Sequence, residues 1–215
     1  MIQNNFYLNN ILKCKLIVII ILTMSLSCAY SQSTYRIINK KDIIMQKDTF
    51  DIDYFENNKD MSDNVDISKD DGEHIWRYLS FDKYVEIYTP PLPKFYTIYK
   101  EYYLNGNLKT KGFKLKDLEI GTWEYYDEKG KKTTVDKDKQ FSSAKFTYNQ
   151  VMLLLNQLGE INIQTGENRE NVDIHLNKQT KQWYAKIRNP SYGGNIYIID
   201  AKNGKIVKKG EIISN

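Results

Sequence analysis

Glu101-Tyr102-Tyr103-Leu104-Asn105-Gly106 is followed, 23 residues on, by Glu124-Tyr125-Tyr126-Asp127-Glu128-Lys129-Gly130, and this short internal repeat decides how the chain is read. Each copy joins aromatic residues, which suit a pleated, half-buried surface, to a turn sequence and then a lysine-rich strand. Asn105-Gly106 is a strong hairpin signal, because both residues tolerate the positive φ of a tight turn. Asp127 to Gly130 predicts a turn one residue longer, and Gly112 and Gly121 bracket the link between the hairpins.

Upstream, the chain from Trp76 to Tyr126 is rich in aromatics and reads as strand territory. Pro90-Pro91-Leu92-Pro93 interrupts it, since proline cannot donate to a sheet ladder, and the main β region is predicted to start just after that segment. Glu56 to Glu73 reads as a loop, with Asn57, Asn58, Asp60, Ser62, Asp63, Asn64 and Gly72 as breakers. From Lys41 to Glu73 there are eleven acidic residues against four lysines, the composition of a solvated, flexible segment. Within it Asp66, Ser68 and Asp70 have the spacing of the first ligands of a calcium loop. An EF-hand is excluded, because its glycine and its bidentate glutamate are replaced by Asp71 and Arg77. Earlier still, Tyr35-Arg36-Ile37-Ile38 and Asp42-Ile43-Ile44-Met45 read as edge strands or an ordered arm.

Tyr102-Tyr103, Asn105-Gly106, Leu108 and Gly112, then Gly121-Thr122-Trp123, Tyr125-Tyr126-Asp127 and Gly130, resemble the variant MORN repeats of the YwqK-like proteins. The match covers about residues 95–136, with Lys132 where a leucine usually follows the second turn. The resemblance implies a β-repeat architecture and, through the family's label, an antitoxin-like or immunity-like role.

Beyond Asp136 the pattern changes. Thr147 is placed to cap a helix whose core face is Val151, Leu154, Leu155 and Leu158, and Gly159 ends it. Three or four strands follow. Val172, Ile174 and Leu176 alternate with polar residues, as do Trp183, Ala185 and Ile187, while Asn195 to Ile199 reads as apolar on both sides and central. The ending Tyr197-Ile198-Ile199-Asp200-Ala201-Lys202-Asn203-Gly204-Lys205-Ile206-Val207 resembles the close of PepSY-type domains, over about residues 145–210. That resemblance implies a module that restrains or modulates peptidases and carries no catalytic residues.

The chain opens on Lys13 and Lys15, the apolar run Leu16 to Leu22, and then Thr23, Ser25 and Ser27, the order of a cleavable secretory signal. That run is shorter than the roughly 18 residues a membrane span needs. Two processing routes compete. Ala29-Tyr30-Ser31 offers small residues for cleavage between Ser31 and Gln32, whereas Cys28 is the alternative as a lipidated cysteine, with Ser25 at the position where an aliphatic residue is wanted. Cleavage after Ser31 is favoured. It removes both Cys14 and Cys28, so no disulfide, thiolate nucleophile or cysteine-bound metal is expected in the mature chain. The formal charge of +4 falls to about +2 without the leader, a near-neutral balance that argues against nucleic acid as a partner.

Chemistry is sparse. His74 reads as a loop residue or the start of a strand, and His175 as a solvated residue on a polar strand face; neither has metal-ligand spacing. No His-Glu-x-x-His, Gly-x-Ser-x-Gly or phosphate-binding glycine loop is present. Glu101 and Glu124 occupy equivalent places in the two copies and are expected on the solvent side of their strands, balancing lysines. Adjacent strand residues point to opposite faces, so one tyrosine of each pair must face away from any single core. Tyr102, Tyr103, Trp123, Tyr125 and Tyr126 are therefore the candidate binding residues, with no catalytic, cofactor or metal site expected.

These readings combine into an α+β protein of mostly antiparallel β-hairpin repeats followed by one helix packed on a small antiparallel sheet. The expected organisation is a signal peptide over 1–31, an N-terminal arm with an acidic flexible loop and first strands over 32–93, the β-repeat region over 94–140, and the helix with antiparallel strands over 141–215. The expected function is noncatalytic binding of a protein partner in the envelope or outside the cell, after export to the periplasm or beyond. A peptidase inhibitor or modulator is the alternative, and a membrane is involved only if Cys28 is lipidated.

Overall fold

The computed structural model describes residues 49–189 and 193–213. The leader, Cys14, Cys28, the Ser31-Gln32 cleavage site and the apolar clusters at 35–38 and 42–45 lie outside these residues. Among the described residues no helix is long and apolar enough to cross a membrane.

The described chain is mostly antiparallel β, in two sheets, with two α-helices. The larger sheet has seven strands in sequential order: β1 (Asn64–Ser68), β2 (His74–Ser80), β3 (Lys83–Thr89), β4 (Thr97–Tyr103), β5 (Leu108–Leu115), β6 (Leu118–Tyr126) and β7 (Lys132–Asp136). The smaller has four, β8 (Val172–Asn177), β9 (Gln182–Asn189), β10 (Gly193–Asp200) and β11 (Ile206–Ile212), again pairing each with the next.

Helix α1 (Ile52–Asn58) precedes the large sheet. Asp51 caps it by accepting from the Tyr54 N–H at 3.0 Å, satisfying one of the orphan donors of the first turn. So short a helix is not stable alone. It is held by Phe55, which is buried with Phe50, Val65, Tyr84, Tyr102 and Leu108 against one face of the sheet. Phe50 stacks on Tyr84 with ring centroids 4.5 Å apart, and Phe55 meets the same ring edge-on.

This corrects the loop expected over Glu56–Glu73. The end of α1 and the whole of β1 lie within it, and the acidic residues serve as turn chemistry between them. Asp60 accepts from the N–H groups of Ser62 and Asn64 at 2.8 and 3.0 Å, and Asp71 accepts from Glu73 N at 2.9 Å. The first strands lie before Pro90 as expected, but they belong to the main sheet, which does not start after the proline segment: β3 pairs with β4 across it.

The two turns of the repeat are the same turn. Tyr103 N donates to Asn107 O and Gly106 N to Tyr103 O, and Asp127 N donates to Lys131 O and Gly130 N to Asp127 O in the same pattern. Gly106 and Gly130 have positive φ, 81° and 78°. Asn105 does not, so glycine alone supplies the left-handed residue. Neither turn is the longer.

In the C-terminal part, α2 (Tyr148–Gln157) begins with a capping box in which Thr147 and Gln150 each satisfy the other's backbone N–H. Its buried face is Tyr148, Val151, Met152 and Leu155. Leu158 is exposed at the C-cap and Leu154 half-buried, so the core stripe is turned from the one expected. The alternation expected of β8 and β9 holds at Val172, Ile174, Trp183, Ala185 and Ile187, all buried. β10 lies between β9 and β11, with Tyr197 and Ile199 buried and Ile196 and Ile198 half-exposed. It is therefore central in its sheet, but dry on one face only.

Arg169 ties the C-terminal part to the large sheet's loops. Its guanidinium donates to the carbonyls of Pro90 at 2.8 Å, Lys94 at 3.3 Å and Gly72 at 2.8 Å. Beside it, Gly166 lies against Leu92 and Pro93 so closely that a β-carbon there would fall 2.6 Å from the leucine side chain.

Candidate functional site

The turns are 24 residues apart, Gly106 to Gly130, while the Glu-Tyr-Tyr triplets are 23 apart. A one-residue offset reverses every side chain of a strand. In the first copy Tyr102 therefore faces the α1 side, 1% exposed, and Tyr103 the other; in the second copy Tyr126 packs toward the α1 core and Tyr125 faces away. The same offset separates the glutamates. Glu101 lies opposite Val85 and Thr110, whereas Glu124 lies opposite Lys111, which lies opposite Lys100 on the α1 side. The two are not equivalent, and their carboxylates lie on opposite faces of one sheet.

The face turned away from α1 carries a band of rings. Trp76 and Tyr78 alternate on β2, with ring centroids 4.7 Å apart. Tyr99 on β4 stacks on Trp123 on β6 at 5.9 Å, across Gly112 of β5, and Trp123 stacks on Tyr125 at 6.4 Å. Lysines lie over these rings, Lys114 at 4.0 Å from the Tyr99 centroid and Lys137 at 5.1 Å from that of Trp123, distances at which a cation is drawn to the ring face. Trp76 remains 38% exposed, and Tyr78, Tyr99, Tyr103 and Tyr125 are half-buried.

Polar contacts fix this face. Glu101 accepts from Lys83 at 2.5 Å and from the Tyr99 hydroxyl at 2.8 Å. Burial pushes the Tyr99 phenol up, and the adjacent Glu101 carboxylate pushes it further. Burial also pushes the Glu101 carboxyl up, but its bonds from Lys83 and Tyr99 outweigh this and hold it below the usual glutamate range. Tyr103 donates to the Tyr126 carbonyl at 2.8 Å.

Of the five expected binding residues, the structure thus brings Trp123 and Tyr125 together with Tyr103 on this face and puts Tyr102 and Tyr126 on the other. Trp76, Tyr78, Tyr99, Lys114 and Lys137 complete the band. Alternation of Trp76 with Tyr78 was a signal for two of them. Nothing in the local sequence marks Gly112 as the floor under Trp123.

The α1 side holds a charged row not anticipated from the sequence. Arg77, Glu86 and Lys100 are directly opposite one another on three neighbouring strands. Glu86 accepts from Arg77 at 2.8 Å, and its other oxygen is 3.5 Å from the Lys100 ammonium. Lys100 has no exposed surface. A cavity of about 290 Å³ adjoins this row, lined by it together with Thr49, Asp51, Tyr54 and Ile75.

His74 opens β2, with Nε2 3.0 Å from Asp66 Oδ1, and His175 is exposed and stacked on Tyr184 at 5.0 Å. Among the described residues no group of three or more histidine, cysteine or acidic side chains is placed to hold a metal. No family model, curated protein or solved structure matches this chain.

Proposed function

We propose that this chain is an exported, noncatalytic binding protein that docks a protein partner through the aromatic and lysine face of its seven-stranded sheet. The observation that carries the reading is the partly exposed band from Trp76 and Tyr78 through Tyr99 and Trp123 to Tyr125, on the face opposite the α1 core. Rings of this kind bring large contact area with few rotamers to freeze. Lys83, Lys109, Lys114 and Lys137 lie around the band together with Asp66, Glu101 and Glu119, so the complementary partner surface is apolar at its centre with charges of both signs around it.

The resemblance of residues 95–136 to YwqK-like repeats belongs to this reading, as does that of 145–210 to PepSY domains, with α2 packed on the small sheet. Contacts of Phe141 with Tyr148 of α2 and Trp183 of β9 support that packing. Export rests on the leader read at 1–31. Mass measurement of the mature N-terminus tests it: a chain starting at Gln32 supports a soluble exported protein, and a lipidated Cys28 a tethered one.

Crosslinked capture of partners from the envelope fraction, using Trp76→Ala and Tyr125→Ala beside the unaltered protein, tests the docking face. Loss of a partner from both variants, with unfolding midpoints little changed, is expected. Retention of every partner by both overturns the reading.

A second reading, modulation of a peptidase by the C-terminal part, is favoured by the order α2 then four antiparallel strands, closed by the turn in which Gly204 N donates to Asp200 O and Asp200 N to Lys205 O. Unchanged activity of envelope peptidases at any stoichiometry of the protein counts against it.

A further inference from the structure

We infer that the outer edge of β7, which pairs with no other described strand, pairs with the same edge of a second copy of this chain. β7 is the last strand of the seven-stranded sheet, and all five of its residues are exposed. Its sequence, Lys132-Thr133-Thr134-Val135-Asp136, is self-complementary in the antiparallel sense. With Thr134 opposite Thr134 of the second copy, Lys132 of each copy falls opposite Asp136 of the other. Thr133 then falls opposite Val135. Opposite charges and β-branched residues are favourable cross-strand pairs, and like charges are not.

The backbone selects the same register by a separate route. Asp127 N donates to Lys131 O at the closing turn, and hydrogen-bonded pairs alternate along an antiparallel ladder. Thr133 and Val135, opposite Tyr125 and Trp123, therefore bond inward to β6. The backbone groups of Lys132 and Thr134, and the N–H of Asp136, are left pointing outward. A twofold pairing centred on Thr134 places these same residues at its hydrogen-bonded positions.

Charges on an edge strand usually discourage pairing. A lysine facing a lysine would do so here, but Asp136 stands where the second Lys132 would meet it. The opposite edge of the sheet behaves differently: β1 paired with itself about its centre sets Asp66 against Asp66. Val135, 46% exposed on the aromatic side, gains cover in the β7 pair. Because the twofold keeps each face on its own side, Trp123 and Val135 of one copy continue into Thr133 and Tyr125 of the other. The two aromatic bands become one surface.

A pair of five-residue strands buries less than the roughly 1,200 Å² of a stable dimer, so the association is weak and requires concentrations up to about 1 mM to be seen. Sedimentation velocity across that range is expected to show dimer. Lys132→Asp alone and Asp136→Lys alone each set like charges together at both ends and should weaken it by about tenfold. The double variant should restore it. Each single change also removes a contact within one copy, from Lys132 to Glu124 or from Asp138 N to Asp136. Mixing the two single variants separates these effects, since neither internal contact returns on mixing while both cross-copy ion pairs do. Dimer recovered in the mixture supports the proposal. A monomer throughout in the unaltered protein, or a mixture no more dimeric than its components, overturns it.

Discussion

The indole of Trp123 lies flat over Gly112 on the neighbouring strand, so close that a β-carbon on Gly112 would fall 2.1 Å from the ring. The glycine is needed for space and not for an unusual backbone angle, as no positive φ is found there. The absent side chain lets Trp123 bridge β5 and stack on Tyr99 of β4. One missing methyl thereby makes the aromatic band continuous across three strands.

Gly112→Ala is expected to destabilise the protein by about 1–3 kcal/mol, the usual range for forcing extra volume into a packed site. With Trp123→Ala in the background, the same change should cost little. Urea unfolding of the two single variants and the double variant measures the coupling; additive costs would refute the contact as its cause.

Glu86→Gln removes the carboxylate that faces both Arg77 and the fully buried Lys100. Removing one member of a buried charged pair costs roughly 3–5 kcal/mol. A loss of that order in urea unfolding is expected, whereas a change within about 0.5 kcal/mol, typical of surface sites, would show the row to be solvated.

Arg169→Lys should not substitute for arginine. The ammonium is a point donor and lacks the planar fork that reaches the carbonyls of Gly72, Pro90 and Lys94 together. Orphaning a buried carbonyl such as that of Pro90 costs about 1–3 kcal/mol. Hydrogen exchange should rise in the segments around Gly72 and Lys94 in both Arg169→Lys and Arg169→Ala, and protection equal to the unaltered protein in either variant would contradict this.

Acid should act partly through Glu101. Its native pKa lies below that of the unfolded chain because the bonds from Lys83 and Tyr99 outweigh burial. The group therefore contributes stability above the unfolded value, about 4.3, and that contribution disappears as pH falls through the lower native value. Glu101→Gln should lower the urea midpoint near neutrality and approach the unaltered protein as pH falls through the native value; parallel midpoint curves would rule the linkage out.

Several elements were legible because their causes are local. Thr147 caps α2 with Gln150 three residues on, Gly159 follows it with a φ of 72°, and alternation marked the buried faces of β8 and β9. Short α1 and β1 were missed for a physical reason. Ile52 with Phe55, and Val65 with Ile67, are short apolar patterns among acids and asparagines, and burial against Tyr84 and Tyr102, far along the chain, makes them structural.

The candidate site divides in the same way. Aromatic content and turn glycines were enough to foresee hairpins and a ring-bearing surface, since both follow from side-chain shape and backbone freedom. Which ring belongs to that surface was decided by register. Turns 24 residues apart under triplets 23 apart put Tyr103 and Tyr125 on the band and Tyr102 and Tyr126 toward α1. Likewise, Lys100 looks like any lysine between Ile98 and Tyr102, and its burial opposite Glu86 is set by the pairing of β3 with β4. Propensity and turn chemistry act over a few residues, whereas the face a strand presents and the partner a charge meets are set by pairing between distant segments.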